Sequence, residues 1–229
     1  RRGFCHVCIA QRENSLNRPR ALMIKPLSME QYLNARKIAD PIALFDCVMP
    51  CAGAEAFLVM SEDKAIKLGV PYARLCAAIE RHNAHADDLV QLRGGWTIDV
   101  HALWEQAGLE PKSMDLVQTY DDYPVISVMQ IEDLGFCAKG EGVAFLKQRN
   151  LTTKGDFPLN TSGGQLSAGQ AGAAGGFIGM VEALRQVTGQ ANETQVKEAK
   201  HALVSGFGMI NFDRGLCTSA TVLSEGVRL

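Results

Sequence analysis

The 229-residue chain carries a formal net charge of −2, and 47% of its residues are hydrophobic. This length and hydrophobic content are enough to bury the core of one or two domains. The near-neutral charge argues against nucleic acid and against an anionic membrane surface as partners. No apolar run is long enough to cross a bilayer, and the seven cysteines occur without a recognisable secretory signal, which favours a reduced, cytoplasmic protein.

Capping residues, breakers and apolar runs predict alternating elements along the chain. In order they are a polar, proline-containing segment over 1–27 whose basic cluster Arg12–Arg20 is expected to be a solvated loop, a helix Ser28–Arg36, a strand Ala54–Met60, a helix Ser61–Leu68 and a strand or short helix Tyr72–Ile79. There follow a helix Thr97–Ala107, a strand Asp115–Tyr120, a helix Pro124–Leu134, a loop Phe136–Lys154, a helix Phe177–Val187, a linker or helix Glu193–Lys200, and strands His201–Gly208 and Leu216–Leu223. Strands that alternate with helices predict an α/β fold.

Two cysteine pairs raise the question of a metal site. Cys5 and Cys8 have zinc-knuckle spacing, while Cys47 and Cys51 lie in a hydrophobic, strand-like run. A structural zinc site needs four ligands within tetrahedral reach. The five histidines show no metalloprotease spacing, and His82 lies in a polar stretch typical of a solvated face. The sequence therefore predicts structural or free thiols and no metal.

The glycine-rich segment from Asn160 to Gly176 is the most informative part of the chain. A polar turn and many small residues lead directly into the helix predicted from Phe177. Glycines at a loop-to-helix junction let the backbone approach a ligand and leave helix N–H groups free to bind it. This segment is therefore the first candidate for a binding site.

The same segment resembles the motif in which thiolases carry a catalytic histidine, Gly-Gly followed by Gly-His-Pro-x-Gly-Ala-(Ser/Thr)-Gly. Further segments are similar, in the same order, to the sterol-carrier-protein branch of thiolases, whose sequences read His-Asp-Cys-Phe and then Leu-Glu-Asp-Leu-Gly-Phe-Cys. These segments are Cys51–Ala56, Ala107–Val117, Tyr120–Tyr123, Gln130–Gly142 and Ser205–Gly208. The resemblance extends from about residue 20 to the C-terminus.

The resemblance implies a thiolase-like layered fold. Residues 1–69 would be a remnant of the N-terminal layer and its loop region, and residues 70–229 the C-terminal domain with a mixed five-stranded sheet flanked by helices. In thiolases the nucleophilic cysteine lies in an upstream half that has no counterpart in this sequence. The chain is therefore expected to be part of a longer subunit and inactive by itself.

Two substitutions separate the chain from the thiolase pattern. Tyr120 replaces the histidine of His-Asp-Cys-Phe, and Gln170 replaces the histidine of Gly-His-Pro. An amide cannot exchange protons near neutral pH, but it can donate a hydrogen bond. Gln170 and a backbone N–H at Gly208 are therefore expected to stabilise an oxyanion. Tyr120 is a candidate general acid/base toward a β-hydroxyl, as in thiolase-like steroid side-chain aldolases, or else a sheet-edge aromatic that packs the core.

The resemblance also implies which other residues contact the substrate. Asp121 is expected to orient a neighbour or to cap the helix that begins near Pro124. The predicted substrate-binding residues are Asp121, Ser162, Gly163, Gly164, Gly169, Gly206 and Phe207.

Three functional hypotheses remain open. The first is an enzyme acting on acyl-CoA thioesters, either an acyltransferase similar to acetyl-CoA acetyltransferases or a retro-aldolase on β-hydroxyacyl-CoA that uses Tyr120. The second is a non-catalytic acyl-CoA or lipid binder, and the third is a subunit that docks a partner. Coenzyme A would enter only as the thioester substrate, with no other cofactor. The resemblance implies a homodimer for the complete protein and a small OB-fold protein with a zinc ribbon as partner, with no nucleic acid and no membrane.

Overall fold

The computed structural model describes residues 2–226, so Arg1 and residues 227–229, the outer ends of the two predicted domains, lie outside the described residues. The α-helices are α1 Arg2–Leu16, α2 Met29–Asn34, α3 Glu62–Leu68, α4 Trp96–Ala107, α5 Pro124–Asp133, α6 Gly142–Lys147, α7 Gly164–Ala168 and α8 Ile178–Val187. The strands are β1 Lys37–Ala39, β2 Ile42–Ala43, β3 Ala73–His82, β4 Leu116–Gln118, β5 His201–Asn211 and β6 Arg214–Glu225. Within this range no helix is both long and apolar enough to cross a membrane.

The main sheet has four strands in the order β3-β6-β5-β4, and a separate hairpin joins β1 to β2. β6 is antiparallel to both β3 and β5, whereas β4 runs parallel to β5. A mixed sheet flanked by helices confirms the predicted fold class. The sheet positions the site because β4 ends at Gln118, two residues before Tyr120.

Each face of the sheet buries its own hydrophobic cluster. Leu203 of β5 faces a large cluster to which α4, α5 and α6 contribute, while its neighbours Ala202 and Val204 face a smaller cluster that includes α8. This alternation follows from the two-residue period of a strand. Both faces of β5 are therefore buried, which explains why its sequence is apolar at consecutive positions.

The strand count predicted from the sequence was wrong. A fifth strand next to β4 is reduced to one parallel bridge between Val117 and Leu159. Pro158 has no N–H to donate, and the chain turns away at Asn160, whose φ is 47°. The ladder cannot continue on either side of Leu159, so the described residues form a four-stranded sheet.

Helix α1 corrects the prediction that the basic cluster Arg12–Arg20 is a solvated loop, because the helix includes the first part of that cluster. It packs against α7, α6 and α2, and its Val7 belongs to the large hydrophobic cluster. The same helix buries Gln11, Arg12 and Asn14. Asn14, for example, donates its side-chain N–H to the carbonyl oxygens of Leu151 and Leu159. Because polar residues occupy the buried face, no apolar periodicity marks this helix. The predicted boundary between residues 69 and 70 stays a prediction.

Local signals were read correctly in several places. Ser28 and Gln31 form the expected capping box of α2, and Ser61 caps α3. Gly108 ends α4 in the left-handed conformation at φ 62°.

Two predicted elements were wrong. Residues 54–60 form no strand, because no described segment pairs with them, and Leu58 and Val59 are 85% and 87% exposed. The predicted loop Phe136–Lys154 contains the short helix α6.

Candidate active site

Three segments converge where β4 ends: the turn Tyr120–Tyr123, the glycine turn from Asn160, and the loop that carries Gln170. Asn160 fastens the first two together, because its side-chain Oδ1 accepts from the Thr119 N–H at 2.7 Å and its Nδ2 donates to Oγ1 of Thr119 at 3.1 Å. A left-handed backbone such as that of Asn160 is one that asparagine adopts more readily than most residues. The strand end and the glycine turn are thus held in one place.

The carboxylate of Asp122 joins the two residues that replace the thiolase histidines. Its Oδ1 accepts a hydrogen bond from Nε2 of Gln170 at 2.7 Å, and its Oδ2 accepts one from the Tyr120 hydroxyl at 3.2 Å. The structure therefore brings Tyr120 and Gln170 to opposite oxygens of one acid. Asp122 was missing from the site predicted from the sequence. One signal in the sequence could have identified it. Asp122 lies two residues after Tyr120, and side chains two residues apart on an extended chain point to the same side.

The main chain of both residues is held rigidly. Gln170 donates its N–H to the carbonyl of Met49 at 2.9 Å and accepts from the N–H of Cys51 at 2.8 Å. The side chain of Gln130 brackets Tyr120, accepting from its N–H at 3.0 Å and donating to its carbonyl at 2.7 Å. These contacts fix the direction in which the Tyr120 and Gln170 side chains leave the backbone.

Burial and the charge of Asp122 set the proton affinity of Tyr120. Removal from water, followed by the neighbouring carboxylate, raises the pKa of Tyr120 to about 12, although the amides of Gln170 and Gln165 oppose the rise. Burial also raises the pKa of Asp122, and the hydrogen bonds from Tyr120 and Gln170 limit this rise because they favour the ionised form. Tyr120 is thus a neutral donor at physiological pH, beside a carboxylate of increased basicity.

Gln165, next to this cluster, has a buried side-chain amide without a well-formed hydrogen bond. Its side chain is buried, and neither the amide nitrogen nor the amide oxygen has a hydrogen-bond partner of good geometry. The amide still lies close enough to Tyr120 to lower its pKa. An unpaired buried amide costs about 1–3 kcal/mol and is often explained by a missing ligand or water. The site therefore holds unused hydrogen-bonding capacity.

Asp121 points away from Tyr120 and supports the glycine turn. Its carboxylate accepts from the N–H groups of Gln165 at 2.9 Å and Leu166 at 3.2 Å, and from Nε2 of Gln11 at 2.9 Å. Asp121 therefore caps the first turn of α7 and not the helix near Pro124, which corrects the capping prediction. Burial raises the pKa of Asp121 to about 6.

The glycines of the turn permit close approach between protein groups. A Cβ on Gly164 would lie 2.1 Å from Oδ2 of Asp121, and one on Gly163 would lie 2.5 Å from the Cβ of Ser15. Ser162 is 2% exposed and accepts from the N–H of Gly164. These residues contact α1, α7 and Asp121. They therefore support the turn that lies next to the Tyr120 cluster.

Gly169 borders the site directly. Its φ of 120° lies outside the region that other residues adopt easily, and a Cβ there would lie 2.8 Å from Sγ of Cys51 and 2.9 Å from Cδ1 of Leu22. The turn at Gly169 sends Gln170 toward Asp122. Its predicted contact with a substrate stays a prediction.

The residues predicted on β5 make no hydrogen bond to Asp122 among residues 2–226. Phe207 is 7% exposed and stacks on Trp96 with ring centroids 5.9 Å apart, so it packs in the core. Gly206 and Gly208 pair with Ser219 and Cys217 of β6. No hydrogen bond among residues 2–226 joins Gly208 to Tyr120 or Gln170. The structure thus brings Tyr120 and Gln170 together but does not add Gly208 to them.

All seven cysteines are thiols outside disulfide bonds, and those with zinc-knuckle spacing are buried in α1. Burial and the charge of Asp46 raise the pKa of Cys8 far above that of an ordinary thiol. A thiol held in its protonated form is a weak nucleophile. Cys5 and Cys8 are packing residues between α1, α2 and α7.

Residues 79–221 match the model for the thiolase C-terminal domain-like family. The chain belongs to this family. The matched region extends from β3 to β6 and includes Tyr120, Asp122 and Gln170. The resemblance inferred from the sequence motifs is therefore confirmed.

Members of the family with different activities are similar to this chain. The 17-hydroxy-3-oxo-4-pregnene-20-carboxyl-CoA lyase of Mycobacterium tuberculosis is 32% identical over 212 residues, covering 89% of this chain and 54% of the lyase. An acetyl-CoA acetyltransferase of Methanothermobacter thermautotrophicus is 30% identical, covering 91% of this chain and 55% of that protein. The chain thus spans about half the length of these relatives.

A solved structure shares the architecture. An Ltp2-ChsH2(DUF35) aldolase superposes with a TM-score of 0.80 and 27% sequence identity, covering 98% of this chain and 58% of the compared chain. The architecture that carries the Tyr120 cluster is therefore also that of an aldolase subunit. Proteins similar to this chain thus include a CoA lyase, an aldolase and an acetyltransferase.

Proposed function

We propose that the complete subunit containing this chain cleaves a carbon–carbon bond in β-hydroxyacyl-CoA thioesters by a retro-aldol reaction. The observation that carries the proposal is the shared hydrogen bonding of Tyr120 and Gln170 to Asp122. This arrangement contains a proton path and hydrogen-bond donors, but neither of the histidines that thiolase condensation uses. The similarity to a CoA lyase and to an aldolase structure supports the same choice over acyl transfer.

Tyr120 and Asp122 would move the proton of the β-hydroxyl. A phenol with a pKa of about 12 is a weak base by itself, but its own proton already points at a carboxylate. The β-hydroxyl would give its proton to the Tyr120 oxygen while the Tyr120 proton passes to Oδ2 of Asp122. The Cα–Cβ bond then breaks, the β-carbon becomes a carbonyl, and the bonding electrons form a thioester enolate.

The enolate needs hydrogen-bond donors, because negative charge develops on the thioester oxygen. The donors would be the second side-chain N–H of Gln170 and the amide of Gln165, because both amides lie close enough to Tyr120 to lower its pKa. The proton held on Asp122 would return through Tyr120 to the α-carbon, giving the shortened acyl-CoA. The cycle balances without a cofactor, and coenzyme A enters only as part of the substrate.

The proposal extends to the assembly of the complete protein. A partner subunit fits the neighbouring aldolase structure, whose name joins two components. A small OB-fold protein with a zinc ribbon remains our candidate for that partner, and a homodimer our candidate for the arrangement of the complete subunit. The cytoplasm is the proposed location, because free thiols persist in a reducing compartment.

The test compares two tyrosines in the complete subunit, purified with its partner. Tyr120→Phe removes the proton carrier, and we expect kcat on a β-hydroxyacyl-CoA to fall by about 10²–10⁴-fold with the substrate Kd nearly unchanged. Tyr123→Phe is the control, because that side chain is 40% exposed and has no hydrogen bond to Asp122. Equal turnover of Tyr120→Phe and the wild type, or wild-type acyl exchange without cleavage, would overturn the proposal.

A further inference from the structure

A cross-strand pair on β3 and β6 brings together three side chains that commonly bind metals. The register of the sheet places His82 directly opposite Cys217. Glu80 lies two residues before His82 on the same strand, and therefore on the same face of the sheet. None of these three residues takes part in the Tyr120 cluster.

Two of the three donor atoms, on Cys217 and His82, are separated almost as they would be around a zinc ion. Sγ of Cys217 lies 3.7 Å from Nε2 of His82, which lies 2.5 Å from Oε1 of Glu80, and all three atoms lie within 4.8 Å of one another. Zinc binds sulfur at about 2.3 Å and nitrogen or oxygen at about 2.0–2.2 Å, so tetrahedral donors are about 3.3–3.6 Å apart. An opening of the His82–Glu80 contact by about 0.8 Å would bring these two atoms to the same tetrahedral separation.

Space for a further ligand exists above the cluster. Gly208 of β5 faces Cys217 across the sheet, and a Cβ built on Gly208 would have no atom within 4 Å. A side chain at this position would cover the cluster from the neighbouring strand, but glycine leaves the position open. A water molecule could therefore complete a four-coordinate site.

The charge of Glu80 is not neutralised by its neighbour in the chain. Arg81 points to the opposite face, where its guanidinium binds both carboxylate oxygens of Asp99 at 2.6 and 2.8 Å. The Glu80 and His82 side chains are 64% and 51% exposed, so an ion could reach them from solvent. The cluster thus combines a negative charge, access from solvent, and one sulfur, one nitrogen and one oxygen donor.

We propose that Glu80, His82 and Cys217 form a three-ligand site for a divalent transition-metal ion, with zinc as the ion that suits this donor set best. A thiolate, an imidazole and a carboxylate are the three ligand types that zinc accepts in proteins. The ion would fasten the edge strand β3 to β6. No local spacing in the sequence reveals this site, because His82 and Cys217 lie on two strands and are more than 130 residues apart.

Zinc and cobalt binding to the 229-residue chain test this site. Zinc stoichiometry is measured by competition with a chromophoric chelator, and Co²⁺ reports a thiolate ligand through its charge-transfer absorption. We expect one equivalent in the wild type and a loss of affinity of about 100-fold or more in Cys217→Ser and in His82→Gln, because losing an outer-shell partner alone costs about 10–100-fold. Glu80→Gln should weaken binding less, because an amide oxygen still coordinates.

Two matched controls lie close to the site. Cys76→Ser removes another thiol of β3, whose Sγ contacts Oγ of Ser224, and His85→Gln removes the imidazole that contacts Thr97. Both controls should retain wild-type affinity and the cobalt band. The proposal is overturned by a wild type that binds no zinc, or by wild-type affinity in both Cys217→Ser and His82→Gln. Melting curves of the metal-free variants establish folding, and either ligand variant suffices if the other fails to fold.

Discussion

The side-chain amide of Gln170 donates to Oδ1 of Asp122 at 2.7 Å across 48 residues of chain. This contact places an uncharged donor where thiolases have a histidine, and it biases Asp122 toward its ionised form. The second oxygen of Asp122 remains for the Tyr120 hydroxyl. A carboxylate shared in this way is the central element of the proposed proton path.

Asp122→Asn should remove the proton acceptor. We expect kcat/KM of the complete subunit to fall by about 10²–10⁴-fold, since an amide cannot take up the Tyr120 proton. In the wild type, kcat/KM should decline as the pH falls through the pKa of Asp122, which burial raises above the ordinary 3.8. The acid limb of the pH–rate profile should disappear in the variant. An unchanged acid limb in Asp122→Asn would assign it to another group.

Gln170→Ala should shift that acid limb toward higher pH. The lost hydrogen bond stabilised the carboxylate, so the pKa of Asp122 should rise further. Turnover at the pH optimum should also fall by about 10²-fold, because one donor to the developing enolate is removed. Full pH profiles of both proteins measure the two effects separately. A fall in rate without any shift would show that Gln170 does not tune Asp122.

Asp121→Ala should destabilise the chain without a direct effect on chemistry. The N–H groups of Gln165 and Leu166 would lose their acceptor in a buried place, which costs about 1–3 kcal/mol in the free energy of unfolding. Urea unfolding measures this cost. Asp87→Ala is the matched control, because Asp87 is exposed and its loss should change the free energy by less than about 0.5 kcal/mol.

The pKa of Asp121 adds a pH signature to the same experiment. Burial raises it to about 6 from the ordinary 3.8. A carboxyl whose pKa is raised in the folded state stabilises most below its unfolded pKa, and this contribution is lost as the pH rises from 3.8 to about 6. The difference in stability between the wild type and Asp121→Asn should therefore change across this interval and be constant above it. A difference that does not vary with pH would contradict the assigned shift.

Local chemistry made several parts of this protein readable from the sequence. The capping box of Ser28 and Gln31 and the glycine stop at Gly108 depend on neighbours within one helical turn, so their residues suffice to predict them. The order of the motifs implied the thiolase-like layers, and the family match and the mixed sheet confirm them. Tyr120 and Gln170 could likewise be selected from the sequence because each replaces a histidine within a recognisable motif.

Other features depended on contacts between distant segments. Helix α1 has no apolar stripe, because partners far along the chain satisfy its buried polar side chains. The segment 54–60 has a strand-like pattern but no strand to pair with, and Pro158 prevents a fifth strand from extending. The sequence could not distinguish Asp122, which faces Tyr120, from Asp121, which supports α7, because both have the same chemistry at adjacent positions.

The sequence by itself thus determined the family, the layered α/β class and two residues of the candidate site. Only the tertiary structure decided the number of strands, the carboxylate that joins Tyr120 to Gln170, and the pairing of His82 with Cys217. The physical reason is one of range. Caps, breakers and periodicity act over a few residues, whereas strand register and buried hydrogen bonds join groups that only the folded chain brings within a few ångströms.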